Sequence, residues 1–249
     1  MTDSAVADWW GTAVSRVEPN RIELRGTPVQ ELIGALGFGP MIWFMLRGSR
    51  PTDAQAALLE AALVAGVDHG PHAPSIAVAR MTATCGVGLN NAMASAINTL
   101  GDSHGGAGQE CVQLLDEVVA SGSAAATVAA WRARGIRYLP GFGHRFHTRD
   151  PRRDPLLGLV GKAVSEGVVP GAHLRAALAV EAALAPVPMN IDGATAVIYA
   201  ELGFPAPLAR GLFVLSRSVG ILAHAWEETG QGRRNKGPIP PSIRPSYLG

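Results

Sequence analysis

The chain has 249 residues, enough for one large domain or two unequal ones with a real core. Its formal charge of +1 excludes a global nucleic-acid or membrane-surface role driven by net charge, so any anion binding must come from local clusters. Hydrophobic residues make up 47% and aromatics only 6%, so alanine, leucine and valine do the packing, a composition that favours helices.

The opening MTDSAVADWW lacks a basic n-region and an apolar h-region, so no signal peptide is expected and the chain reads as soluble and cytoplasmic. Residues 12–50 are short apolar pieces between turn residues. PTDAQAALLEAALVAG then opens a helix, with Thr52 as cap and Gln55 as its capping-box partner. After the Gly/Pro-rich loop DHGPHAPS, a small-residue segment from Ile76 to Asn98 suggests a helix packed closely on others, ended by GDSHGG. Cys111, Leu114, Leu115, Val118 and Val119 give the spacing of an amphipathic helix. SGSAAATVAAWRARG predicts another, ending near Gly135.

Helices resume at about 156–167 and 172–185, and Asp192 in PVPMNIDG is placed to start the next one. The last runs from about Pro207 to Glu228, with Leu208, Leu212, Leu215, Val219 and Leu222 at 4-3-4-3 spacing. Arg217 interrupts this apolar stretch, which reads as too short to span a bilayer. No strand ladder and no internal repeat are evident, so the fold class is all-α. Cys85 and Cys111 are far from CxxC spacing and are expected as free, small hydrophobes in helical surroundings.

Polar chemistry interrupts this pattern at Asp68-His69, His104-Gly105-Gly106, the stretch from His144 to Arg153, Asn190-Ile191-Asp192, Arg217 and Arg244. Each has a plain structural alternative. His69 can be a loop histidine bonded to backbone, His104 a helix end and Asp192 only an N-cap. Arg217 is harder to dismiss, because an unpaired buried guanidinium is costly. Its partner is either a carboxylate of this chain or a bound one. PGFGHRFHTRDPRRDP, residues 140–155, is the densest stretch, with four arginines, two histidines and two aspartates. Its Pro-Gly-Phe-Gly turn lets backbone approach a ligand closely, and Arg152 after Pro151 suits a carboxylate fork. His69/His72 and His144/His147 form two H-x-x-H pairs, the basis of a rival metallohydrolase reading, but they sit on Gly/Pro loops with no cysteine nearby.

Taken in order, HGGA, GFGHRF with DPR, NIDG and SRSVG resemble the citrate synthase superfamily, with weaker similarity reaching from AVSRVEPNRIELRG to the terminal RPSYLG. DHGP, LGDSHGGA, NIDG and GLFVLSRSVGILAH are closer to its short citryl-CoA lyase branch, which includes the C-terminal module of ATP-citrate lyase. Two departures stand out, one from each side: His104 stands where lyases of this branch often carry Phe, and HGGAGQE stands where synthases carry HGGANE. The resemblance implies a citrate synthase-like two-domain helical fold with a large domain and a small CoA-binding domain. The large domain would comprise residues 1–107 and 196–249 and the small one 108–195, in a homodimer or homotetramer.

It further implies reversible cleavage of citryl-CoA, or a close hydroxyacyl-CoA, to acetyl-CoA and oxaloacetate. The alternatives are a citrate synthase that also hydrolyses the thioester, and a non-catalytic CoA-thioester-binding paralogue. His144 would act as base on the tertiary hydroxyl, His104 would donate to the thioester oxygen and Asp192 would deliver the proton to the enol carbon. His69, Arg152, Arg217 and Arg244 of the partner subunit would hold the carboxylates. Pro140, Gly141, Phe142, Gly143 and Arg145 would meet coenzyme A, with Arg149 and Arg153 either joining Arg145 at its phosphates or solvated. No permanently bound cofactor, metal, nucleic acid or membrane is expected.

Overall fold

The computed structural model describes residues 2–240 and 242–249. The chain forms two compact units, residues 1–60 and 61–249, and every candidate site residue belongs to the second.

The first unit begins with α1 (Asp3–Trp9), where Thr2 Oγ1 accepts the Ala5 N–H at 3.3 Å. A small antiparallel sheet follows, β1 (Ser15–Glu18), β2 (Arg21–Leu24) and β3 (Thr27–Pro28), in that spatial order. This corrects the reading of no strand ladder. The strands are short and carry Arg16, Glu18, Arg21 and Glu23, which pair with one another across exposed surface, so apolar alternation is faint. Then come α2 (Val29–Leu32) and α3 (Phe38–Arg47), which Gly48 ends in the left-handed region. The capping box forms as expected: Thr52 N–H donates to Gln55 Oε1 at 3.0 Å and Gln55 N–H to Thr52 Oγ1 at 3.2 Å. It starts α4 (Asp53–Gly66), which runs into the second unit.

The second unit contains α5 (Pro74–Ala83), α6 (Leu89–Ile97), α7 (Ala107–Ser121), α8 (Ala124–Ala133), α9 (Arg153–Ser165), α10 (Ala172–Ala183), α11 (Ile191–Glu201) and α12 (Ala206–Gly230). The single helix expected over 76–98 is two, because Gly86-Val87-Gly88 breaks it, with Gly86 at φ +80. Helices α7 to α11 pack on one another, while α12 packs on α5, α6 and α7. Alanines make the contacts of α5, α6 and α12 close: Ala79, Ala92, Ala96 and Ala225 are buried around Ile76 and Ile221. Cys111 is buried in this unit, whereas Cys85 is exposed in the turn beyond the end of α5 rather than in helical surroundings.

At 25 residues α12 is long and apolar enough, by length and composition, to cross a membrane, which corrects the shorter stretch read from the sequence. It is nevertheless built into the fold, with Arg217 and Glu228 buried along it. Helix α11 is buried at every position except Asp192. Its far end does structural work: Glu201, also buried, accepts the N–H groups of Gly171 at 2.8 Å and Leu174 at 2.9 Å, capping α10 from a distance.

Candidate active site

The 140–143 turn and the start of α11 are stitched together by backbone. Asn190 N–H donates to Gly141 O at 2.9 Å, Gly143 N–H to Pro188 O at 2.8 Å and Asn190 Nδ2 to Gly143 O at 2.6 Å. Only glycine serves at 141. Its φ is +85, and a Cβ there would stand 2.5 Å from Cys111 Sγ and 2.8 Å from Gly193 Cα. Pro140, Gly141 and Phe142 are therefore buried, and the turn fixes where His144 emerges relative to Asp192. Arg145 beside them is exposed.

The N-cap of α11 is Asn190, whose Oδ1 accepts the Asp192 N–H at 2.9 Å and the Gly193 N–H at 3.2 Å. This corrects the reading of Asp192 as a cap. The Asp192 carboxylate has no hydrogen-bond partner among the described residues, so its position is left for chemistry. Burial raises its pKa, and Asp150 adds to that, while Arg217 and Arg152 oppose it.

Each catalytic-candidate histidine has its tautomer set by backbone N–H groups, which can only donate. His144 Nδ1 accepts from Phe146 N at 3.0 Å and His147 N at 3.1 Å, so its proton sits on Nε2. His104 Nε2 accepts from Ser75 N at 3.2 Å in the first turn of α5, so its proton sits on Nδ1. Burial lowers the pKa of both. Arg217 and Arg145 add to the effect at His104, and His147, its ring tilted against that of His144 with centroids 4.4 Å apart, adds to it there. His69 stands edge-on to His144 with ring centroids 5.3 Å apart. Its pKa is lowered by burial, then by Arg152, Arg217 and His144. All three rings are neutral at pH 7 on this basis.

Arg217 is 5% exposed. Its Nε donates to Gly66 O at 3.1 Å and its guanidinium lies 4.9 Å from the centre of the Phe213 ring. It has no ion pair with a carboxylate among the described residues, although Asp192 and Asp68 are close enough to act on its charge. Arg152 is different: Asp150 accepts from its Nε and Nη2, both at 2.9 Å, and from its N–H at 3.0 Å. Asp150 also accepts the Ile191 N–H at 3.2 Å, which ties the loop to α11. Burial alone would raise the Asp150 pKa, but these donors outweigh it and hold it at about 2.

A cleft of about 470 Å³ is lined by Asp68, His69, Gly70, His72, Phe146, His147 and Arg152. His69, His104, His144, Arg152, Arg217 and Asp192 thus form one electrostatically connected group. Arg244 stays outside it, in the exposed tail. Arg149 pairs with Asp154 at 2.8 Å and Arg153 with Glu181, which accepts the Met189 N–H at 2.7 Å. Both arginines brace the loop, and of the three only Arg145 has no carboxylate partner among the described residues. Among the described residues no three His, Cys, Asp or Glu side chains are grouped to hold a metal ion.

The sequence placed Asn190 and the stretch holding Asp150 among its polar interruptions but gave neither residue a role, and it did not mark Ser75. Asp150 carried a signal: an Asp two residues before an Arg across Pro151 suits an Asx-type turn. Asn190 did as well, as a cap-forming residue immediately before the helix. Asp150 also gives a pH prediction. Its folded pKa is depressed from 3.8 to about 2, so its contribution to stability is complete above pH 3.8 and is lost as pH falls through about 2. Asp150→Asn is expected to lower the urea midpoint at pH 7 and to flatten the acid limb in that window. An acid limb superimposable on that of the wild type would refute the assignment.

The family model for the citrate synthase C-terminal domain matches residues 13–246. The citrate synthase of Haloferax volcanii is 32% identical over 218 residues, 84% of this chain and 56% of that protein. The chain spans about half the length of the curated relatives it matches. Among solved structures, the citryl-CoA lyase of Hydrogenobacter thermophilus superposes with a TM-score of 0.85 at 30% identity, covering 96% of this chain and 94% of that one. The ATP citrate lyase of Methanothrix soehngenii, solved with citrate and coenzyme A, superposes with a TM-score of 0.81 over 100% of this chain and 45% of its own. At 19% identity it speaks for the fold alone.

Proposed function

The chain belongs to the citrate synthase family, and within it we propose that it cleaves citryl-CoA, or a close hydroxyacyl-CoA, reversibly to acetyl-CoA and oxaloacetate. The observation that carries this is Asp192. It is the one part-exposed residue of a buried helix, freed from capping by Asn190, raised in pKa, and grouped with two neutral histidines and two arginines. The similarity over nearly full length to a citryl-CoA lyase favours the lyase over the synthase.

In the condensing direction Asp192 takes a proton from the methyl of acetyl-CoA while His104 Nδ1–H donates to the thioester oxygen as enolate charge develops. The enolate carbon attacks the keto carbon of oxaloacetate while His144 Nε2–H donates to the keto oxygen; that oxygen takes a proton from water as it becomes the tertiary hydroxyl, and Asp192 returns the methyl proton to water. Cleavage reverses these steps: the hydroxyl proton leaves to water, His144 Nε2–H donates to the alkoxide as the carbon–carbon bond breaks, and Asp192 protonates the enolate carbon. The expected base role of His144 is thereby narrowed to hydrogen-bond donation, because Nδ1 is filled by two backbone donors and Nε2 carries the ring proton. Arg217, with no carboxylate paired to it among the described residues, and the part of Arg152 not committed to Asp150 hold substrate carboxylates beside His69.

Coenzyme A meets Arg145 at the mouth, since the backbone of the 140–143 turn is largely spent on its own anchoring. Residues 108–195, which include most of the mutually packed helices α7–α11, serve as the small domain. The partner subunit's Arg244 completes the clamp in a homodimer or homotetramer. The test is the purified chain with citryl-CoA, malate dehydrogenase and NADH. Stoichiometric NADH oxidation supports cleavage; release of free coenzyme A and citrate without it favours thioester hydrolysis and refutes the lyase.

A further inference from the structure

One face of α12 grips the end of α4 and the loop that carries His69. Ser216 Oγ donates to Leu63 O, Arg217 Nε to Gly66 O and Gly220 N–H to Val67 O, the last two at 3.1 Å. One turn further on, His224 Nε2 meets Asp68 Oδ2 at 3.3 Å, and the same oxygen accepts the Gly70 N–H at 3.1 Å. The positions 216, 217, 220 and 224 follow the repeat of a single helix face. The approach is close enough to require glycine at 220, where a Cβ would collide with Val67 O and the Asp68 side chain. The loop is therefore fixed on both sides of His69, and from the same helix face that carries Arg217.

The His224 contact is directional. Arg80 Nη1 lies 3.2 Å from His224 Nδ1, and a guanidinium can only donate, so Nδ1 accepts and Nε2–H donates to Asp68. Arg80 is itself held by Glu227 at 2.9 Å and by the buried Glu228 at 2.7 Å. Glu228 also pairs with Lys236 at 2.8 Å. A continuous chain of donors and acceptors thus runs from Glu228 through Arg80, His224 and Asp68 to the amide of Gly70. The carboxyl of Asp68 depends on it, because among the described residues its buried Oδ1 has no hydrogen-bond partner.

We propose that His224 is a positioning residue for the oxaloacetate end of the site, acting through Asp68 to hold His69 at a fixed place relative to Arg217. The nature of the ligand rests on the functional reading above; the clamp does not. In His224→Ala, hydrogen exchange at the Gly70 amide is expected to accelerate about tenfold or more, the scale of one lost charge-assisted hydrogen bond. KM for oxaloacetate is expected to rise about tenfold on the same basis, with kcat and KM for acetyl-CoA little changed. His224→Gln restores both readouts, since its amide accepts from Arg80 and donates to Asp68. Should alanine unfold the chain, His224→Phe fills the space without hydrogen bonding and serves for the same two measurements.

Unchanged Gly70 exchange overturns the clamp, whatever the chain turns over. Faster exchange with an unaltered KM for oxaloacetate overturns its role in the site. A wild-type chain that fails to bind oxaloacetate in a calorimetric titration defeats the functional reading, and the exchange data still decide the clamp.

Discussion

Asp192→Asn is expected to lower kcat by about 10²–10⁴-fold, the usual range for losing a general acid or base. It should also stop exchange of the acetyl-CoA methyl protons with solvent. The fold should survive, because the cap belongs to Asn190 and the amide is isosteric with the acid. Stability should even gain at neutral pH. A carboxyl whose folded pKa is raised above 3.8 costs stability as pH climbs through that window, and the amide never ionises. Asn190→Ala gives the complementary pattern: loss of the cap costs about 1 kcal/mol, and the tie to Gly143 is lost with it. Methyl exchange persisting in Asp192→Asn would remove Asp192 from the chemistry.

Arg217→Met is expected to weaken oxaloacetate binding about 10- to 150-fold, the equivalent of one charged hydrogen-bonding interaction of about 1.5–3 kcal/mol. Coenzyme A binding should change little. The effect on the empty protein separates two roles. A guanidinium that balanced a structural carboxylate would leave a stranded buried charge when removed, at a cost of about 3–5 kcal/mol. Among the described residues Arg217 has no such ion pair, and the hydrogen bond it makes goes to the Gly66 carbonyl, worth about 1.5 kcal/mol net. Methionine is of similar length and suits an apolar wall. Unfolding midpoints with and without oxaloacetate should therefore show the ligand-induced gain vanish while the unliganded midpoint barely moves. A large drop in the unliganded midpoint with the ligand gain preserved would make Arg217 structural.

The site was legible in the sequence where polar residues stood out against apolar surroundings. Arg217 within GLFVLSRSVGILAH announced itself as a buried cation, and the structure buries it. What holds such residues in place was less legible. Asp150 and Asn190 carry local turn and cap signals, but the long-range contacts of Asp150 with Ile191 N–H, Asn190 with Gly143 O and Ser75 N–H with His104 join distant parts of the chain, and no local pattern reports those encounters. Helix α12 shows the same limit in packing. Its leucine repeat at 4-3-4-3 spacing does not trace the buried face: Leu215 is 46% and Val219 56% exposed. The buried face runs through Ala209, Leu212, Ser216, Arg217, Gly220 and Ala225. Small residues admit the 63–68 backbone and neighbouring helices at close range, so burial there follows side-chain size rather than hydrophobicity. The three-stranded sheet escaped notice because its strands are four residues or fewer and largely polar, with little period-two contrast to detect.

The central claim is that one group of side chains breaks a carbon–carbon bond and returns a proton to the enolate carbon. It is tested most directly by running the wild-type chain on citryl-CoA in D₂O with prompt quenching. The account predicts oxaloacetate and acetyl-CoA in equal amounts, with one deuterium in the methyl group at early times. Citrate and free coenzyme A in their place, with no label at carbon, would contradict it.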